Sequence, residues 1–130
     1  MSVSDPFFHP VSGAVLPRFA GIPSFMRLPI VPPDHPRRAE VEIALFGMPW
    51  DGGTSNRPGA RHGPRSLRDA STMVRAQQEG TGLRPFEAAA CADVGDVGVN
   101  PVEQPATLAA IEDFVTEIRR GAARPLGVAG

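Results

Sequence analysis

Proline crowding constrains this chain more than any other feature. Eight of its fifteen prolines lie in the first 40 of its 130 residues. Proline lacks the N–H that a helix interior or a central strand requires. Residues 1–40 are therefore expected to form an extended, proline-rich arm, and regular structure is confined to residues 41–130. The arm is not polar. Its "FAGIPSFMRLP" segment carries Phe19, Ile22, Phe25, Met26 and Leu28, so it is expected to lie against its own domain or a neighbouring subunit. "PPDHPRR" reads as an exposed turn.

Beyond the arm, apolar runs alternate with helical patterns. "VEIALFG", 41–47, has the length and composition of a buried strand. A glycine- and arginine-rich loop, 48–62, follows. Gly63-Pro64 opens a helix, with Pro64 where its missing N–H costs nothing. Leu67, Ala70 and Val74 recur at helical spacing, and Gly80 and Gly82 end that region. "FEAAACADVGD", 86–96, reads as a second strand with Asp93 and Asp96 at its end. Residues 106–120 predict the clearest helix, with an apolar stripe of Leu108, Ile111, Phe114 or Val115, and Ile118. Arg119 and Arg120 suit the negative end of its dipole, and Gly121 the position beyond. "RPLGVAG", 124–130, predicts a third strand. The order β-α-β-α-β predicts an α/β fold with a parallel sheet and right-handed crossovers. Such sheets are covered on both faces, so two helices on three strands predict the N-terminal portion of a larger, incomplete domain.

Composition excludes several functions. The net charge is −1, and the basic residues are thirteen arginines with no lysine. No bulk electrostatic attraction to nucleic acid or an anionic membrane follows, and neither Schiff-base chemistry nor a phosphate-loop lysine is available. The single cysteine, Cys91, permits no internal disulfide and reads as a small buried hydrophobe. The N-terminus lacks a signal-peptide pattern, and no apolar run approaches the roughly 20 residues needed to span a bilayer. The expected setting is cytoplasmic.

Ligands of open α/β sheets bind beyond the C-terminal strand ends. There, "GMPWDGGTSNRPGARHGPRSLRDAS" supplies Gly52-Gly53, the neutral polar Thr54, Ser55 and Asn56, and four arginines, 57, 61, 65 and 68. Guanidinium forks match carboxylates and phosphates. Arg65 and Arg68, on the helix, read as solvated or paired with acids such as Asp69. For Arg57 and Arg61, structural pairing and ligand contact stand equal. His9, His35 and His62 lie in three separate segments. Asp93 and Asp96 alone do not make a transition-metal site, and they read as turn-fixing acceptors. No complete active site is visible: no catalytic residue and no metal ligand is assigned in this chain.

Several segments, in order, resemble the ureohydrolases, the arginase and agmatinase family. They are the loop motif just quoted, "FAGIPSFMRLP", "DVGDVGVNP" and "AIEDFVTEIRRGAARPLGVAG". Trp50 with "NRPGARHGP" looks nearest the guanidinopropionase and guanidinobutyrase branch. The resemblance implies a three-layer α/β/α parallel-sheet domain, here its N-terminal part. It implies hydrolysis of the guanidinium group of a guanidino acid or agmatine to urea and a primary amine, by a hydroxide shared between two manganese ions on the order of 3.5–4 Å apart. The family's metal ligands lie in a Gly-Gly-Asp-His motif, a D-x-H-x-D motif and a later D-x-D motif. Ala129-Gly130 falls where Gly-Gly would be, so the ligands are expected beyond this chain, and the fragment alone is expected to be inactive. Arg57, Arg61 and Asn56 are the candidate substrate-binding residues, with an arginine reading the carboxylate of a guanidino acid. The full-length protein is expected to be a homo-oligomer, trimer or hexamer, with a small guanidino substrate as its other partner. The alternatives are a non-catalytic anion-binding module and an oligomer-assembly fragment.

Overall fold

The structure is a computed structural model, and it describes residues 5–129. Gly130, half of the expected Gly-Gly position, lies outside the described residues. Three parallel strands form one sheet: β1 (Ile43–Gly47), β2 (Cys91–Asp96) and β3 (Arg124–Val128), in the spatial order β2-β1-β3. The crossovers carry α1 (Gly63–Ala70), a single turn α2 (Pro85–Ala88) and α3 (Gln104–Arg120). The expected α/β class and its parallel sheet are what the structure shows.

β1 is central because it is apolar throughout. Ala44, Leu45, Phe46 and Gly47 are all buried. One face of the sheet packs Ala44 and Phe46 with Ala92, Val94 and Ile118, and Phe8 and Val31 of the arm join them. The other face packs Leu45 and Cys91 with Phe25, Leu28 and Phe86. Cys91 is buried, as expected, and burial pushes its thiol pKa up.

The arm does more than cover. Val31 N–H donates to Asp93 C=O at 2.8 Å, and Asp93 N–H donates to Pro29 C=O at 3.0 Å. Ile30 thus bridges β2 in the parallel sense and covers part of that edge. Phe25 and Leu28 are buried, but Phe19 is 95% and Ile22 84% exposed. In "PPDHPRR" only part is exposed: the Arg37 guanidinium lies 4.5 Å from the Phe7 ring centroid and pairs with Asp5 and Glu40.

Three details differ from the sequence reading. Residues 86–90 are not strand: Pro85 opens a turn that buries Phe86, and β2 starts at Cys91, because proline and alanine favour a helical turn over a pleat. α1 stops at Ala70, and Leu67 and Val74 are exposed. α3 starts at Gln104 and buries Thr107 and Ile118 but leaves Leu108 half exposed. The Thr107 hydroxyl accepts from Asn100 N–H at 2.9 Å and donates to Asn100 C=O at 2.7 Å, so a polar residue docks this end of the helix.

α1 is held by charge rather than by an apolar stripe. Arg68 Nε and Nη2 donate to the buried Asp93 carboxylate at 2.7 and 3.0 Å, and its Nη1 reaches Asp96 at 2.8 Å. Its guanidinium also lies 4.2 Å from the Phe25 ring centroid. Burial disfavours the Arg68 charge, but the bonds to Asp93 and Asp96 outweigh it and raise its pKa. Arg68→Met leaves the Asp93 carboxylate buried without a cation, a loss of about 3–5 kcal/mol. Urea unfolding of the chain is expected to show that loss as a lower midpoint. Arg68→Lys should recover only part, since an ammonium lacks the planar fork.

Candidate functional site

The C-terminal ends of the three strands lie side by side and are tied together by backbone. Met48 N–H donates to Val128 C=O at 2.8 Å, and Val97 N–H donates to Gly47 C=O at 2.9 Å. A Cβ at Gly47 would collide with the Asp96 carboxylate and come within 2.6 Å of Pro64 Cβ, so only glycine lets α1 and β2 approach here. β2 spends three residue steps, Asp93 to Asp96, where β1 spends two, Leu45 to Gly47. Gly95, at φ 92°, absorbs the extra residue. That bulge lets Asp93 and Asp96 share one guanidinium.

The 48–62 loop is clasped at its base by Asp51. Its carboxylate accepts Gly59 N–H at 2.7 Å, Arg61 N–H at 3.3 Å and Arg61 Nε–H at 2.7 Å, and Arg61 Nη2 lies 2.6 Å away. Asp51 C=O also accepts from Thr54 N–H and its hydroxyl. Gly59 sits at φ 127°, a conformation open only to glycine. Residues 52–58 form the exposed tip, and the Trp50 ring lies against Gly52 and Gly53.

The sequence candidates separate on this geometry. Arg61 spends Nε and Nη2 on Asp51, so its first task is structural. Arg57 and Asn56 are exposed on the tip, with no hydrogen bond or ion pair to another described residue. Arg68 is paired, with Asp93 and Asp96 rather than Asp69. Asp93 fixes its turn by accepting Gly95 N–H at 3.0 Å, as expected, and also accepts Phe25 N–H at 3.1 Å. Asp51 was missed. Its signal was an acid directly before two glycines, the composition of a side-chain-stabilised turn. Among the described residues no group of three or more His, Cys, Asp or Glu side chains comes together to hold a metal ion.

The arginase family model matches residues 41–130. The chain belongs to that family. It is 41% identical over 122 residues to guanidinopropionase of Pseudomonas aeruginosa, covering 94% of this chain and 37% of that protein. It is 38% identical over 124 residues to the mitochondrial agmatinase of Gallus gallus, covering 95% and 35%. Among solved structures, proclavaminate amidino hydrolase of Streptomyces clavuligerus superposes with a TM-score of 0.78 at 32% identity, over 85% of this chain and 36% of that one. The chain thus spans little more than a third of the length of these relatives.

The Asp51 clasp depends on pH. The Gly59 amide, with Arg61, holds the Asp51 carboxyl below the usual carboxylate range, against the effect of burial. Its contribution is complete above the ordinary Asp pKa, about 3.9, and is lost as pH falls through the depressed value. Trp50 is the one tryptophan of the sequence and reports on the loop. Its fluorescence is expected to hold steady from neutral pH to the ordinary carboxylate range and to change below it. Asp51→Asn should show the acid-form emission at neutral pH; emission identical to the parent would show that the clasp does not order the loop.

Proposed function

We propose that this chain is the N-terminal part of a ureohydrolase that acts on a guanidino acid. The observation that carries the proposal is the 41% identity to a guanidinopropionase, in a chain that presents a clasped, arginine-bearing loop at the C-terminal strand ends. The reaction adds water to the guanidinium carbon and breaks one C–N bond, giving urea and a primary amine. The resemblance to the ureohydrolases implies a pair of manganese ions. The described residues hold no ligand set that fits them, so the ligands would come from sequence outside these residues, and no step of the reaction is assigned to a residue here.

The part of this chain is binding. Arg57 on the loop tip has its guanidinium available, and a guanidinium fork suits the carboxylate that a guanidino acid carries at the end remote from the reaction. Asn56 beside it offers neutral hydrogen bonds. Arg61 supports both by holding Asp51. An amine such as agmatine has no carboxylate for Arg57 to read.

Urea release by a polypeptide continued past Gly130, with added Mn2+, tests the reading on 3-guanidinopropionate, 4-guanidinobutyrate, agmatine and arginine. Turnover of a guanidino acid is expected, and no urea from any of the four would defeat the proposal. Arg57→Ala should raise KM for the guanidino acid about tenfold or more, the scale of a lost charge-assisted hydrogen bond, and leave agmatine nearly unchanged. Arg61→Ala should impair both substrates together and lower thermal stability. Equal KM effects of Arg57→Ala on both substrates would remove Arg57 from substrate recognition.

A further inference from the structure

Arg68, Arg61 and Arg37 each hold a carboxylate. Arg27 has no carboxylate within ion-pair distance among the described residues, although it is only 8% exposed. Its Nη2 donates to Leu16 C=O at 2.7 Å, and its Nη1 is buried with no acceptor. Arg38 also buries an Nη1 without an acceptor, but Glu117 acts on its charge. A buried cation satisfied by one neutral carbonyl is costly. The backbone adds strain at the same place: Met26 and Arg27 take φ values of 53° and 59°, left-handed at two successive residues that carry a Cβ.

Arg27 lines a cavity of about 670 Å3 between the arm and the C-terminal end of α1. Leu16, Leu28, Ile30 and Met73 give it apolar walls, and Arg18 and Asp69 bring its other charges. Arg18 Nη1 is spent on Val74 C=O at 3.1 Å and Thr72 C=O at 3.4 Å. Two guanidinium groups against one carboxylate leave a single positive charge in surplus. The volume is that of a small-molecule site, and the guanidinium fork fits a carboxylate in two-point fashion.

We propose that this cavity binds a small organic monocarboxylate with an apolar body. The carboxylate pairs with Arg27, and the body lies against Leu28, Ile30 and Met73. Nη1 is covered in the present conformation, so the guanidinium turns toward the cavity as the ligand enters. Asp69, on the same wall, repels the ligand and limits its affinity. The proposal does not depend on the reaction assigned to the strand ends.

Isothermal titration of the chain, in the longest form its coding sequence specifies, tests this with sodium hexanoate, sodium acetate, inorganic phosphate and hexylamine. Hexanoate is expected to bind saturably at one site per chain, about tenfold or more tighter than acetate because of its added apolar area, and hexylamine not at all. Arg27→Gln should abolish the binding. Two variants at exposed positions guard against misfolding: Met73→Glu should weaken hexanoate, and Asp69→Asn should tighten it. Absence of saturable hexanoate heat overturns the proposal. So does phosphate binding as tight as that of hexanoate, or an affinity that neither Met73→Glu nor Asp69→Asn alters.

Discussion

The Arg68–Asp93 pair is the contact on which the rest of this architecture depends. Asp93 is a strand residue whose backbone bridges the arm through Pro29 and Val31. Its side chain accepts from the arm at Phe25, from its own bulge at Gly95, and from α1 through Arg68. Arm, sheet and first helix therefore meet at one buried carboxylate. For α1 that carboxylate is the anchor, held through Arg68 in place of an apolar stripe. The contact is also directional. A hydrophobic face tolerates sliding, whereas a two-pronged guanidinium–carboxylate pair fixes the rotation of α1 about its axis.

A second acid–arginine pair, Asp51–Arg61, performs a different task at the strand ends. It closes a loop that contains two adjacent glycines and two prolines, a composition that would otherwise leave many conformations open. With its base pinned by Asp51, the tip can vary while the scaffold stays fixed. This division suits a family whose relatives act on different guanidino compounds, since functional differences concentrate in loops set on a rigid frame.

Much of the fold was legible because it rests on local signals. The apolar run at β1, Pro64 at a helix start and the stripe from Ile111 to Ile118 each declare an element within a few residues. The miss at residues 86–90 came from reading an alanine-rich run as strand, although alanine and the preceding Pro85 both favour a helical turn. The exposure of Leu67 and the burial of Thr107 were not legible. Each depends on a partner distant in sequence or on a hydroxyl finding a backbone group, and periodicity carries neither. The loop was recognisable as a candidate site, but which of its arginines was committed could not be read. Arg57 and Arg61 look alike until Asp51, ten residues from one of them, makes its choice in three dimensions.

The central position of β1 has a consequence for biosynthesis. Its register pairs Ile43 with Cys91 on one side and Arg124 on the other, so neither neighbour exists when β1 leaves the ribosome. At roughly 5–20 residues per second, several seconds pass before the last pairing strand emerges. Until β2 emerges the nascent chain carries a greasy ribbon from Ile43 to Gly47 with neither partner, and until β3 emerges it has one partner at most. Chaperone demand should therefore fall earliest in translation, and slowing of ribosomes between β1 and β3 would lengthen the window for aggregation.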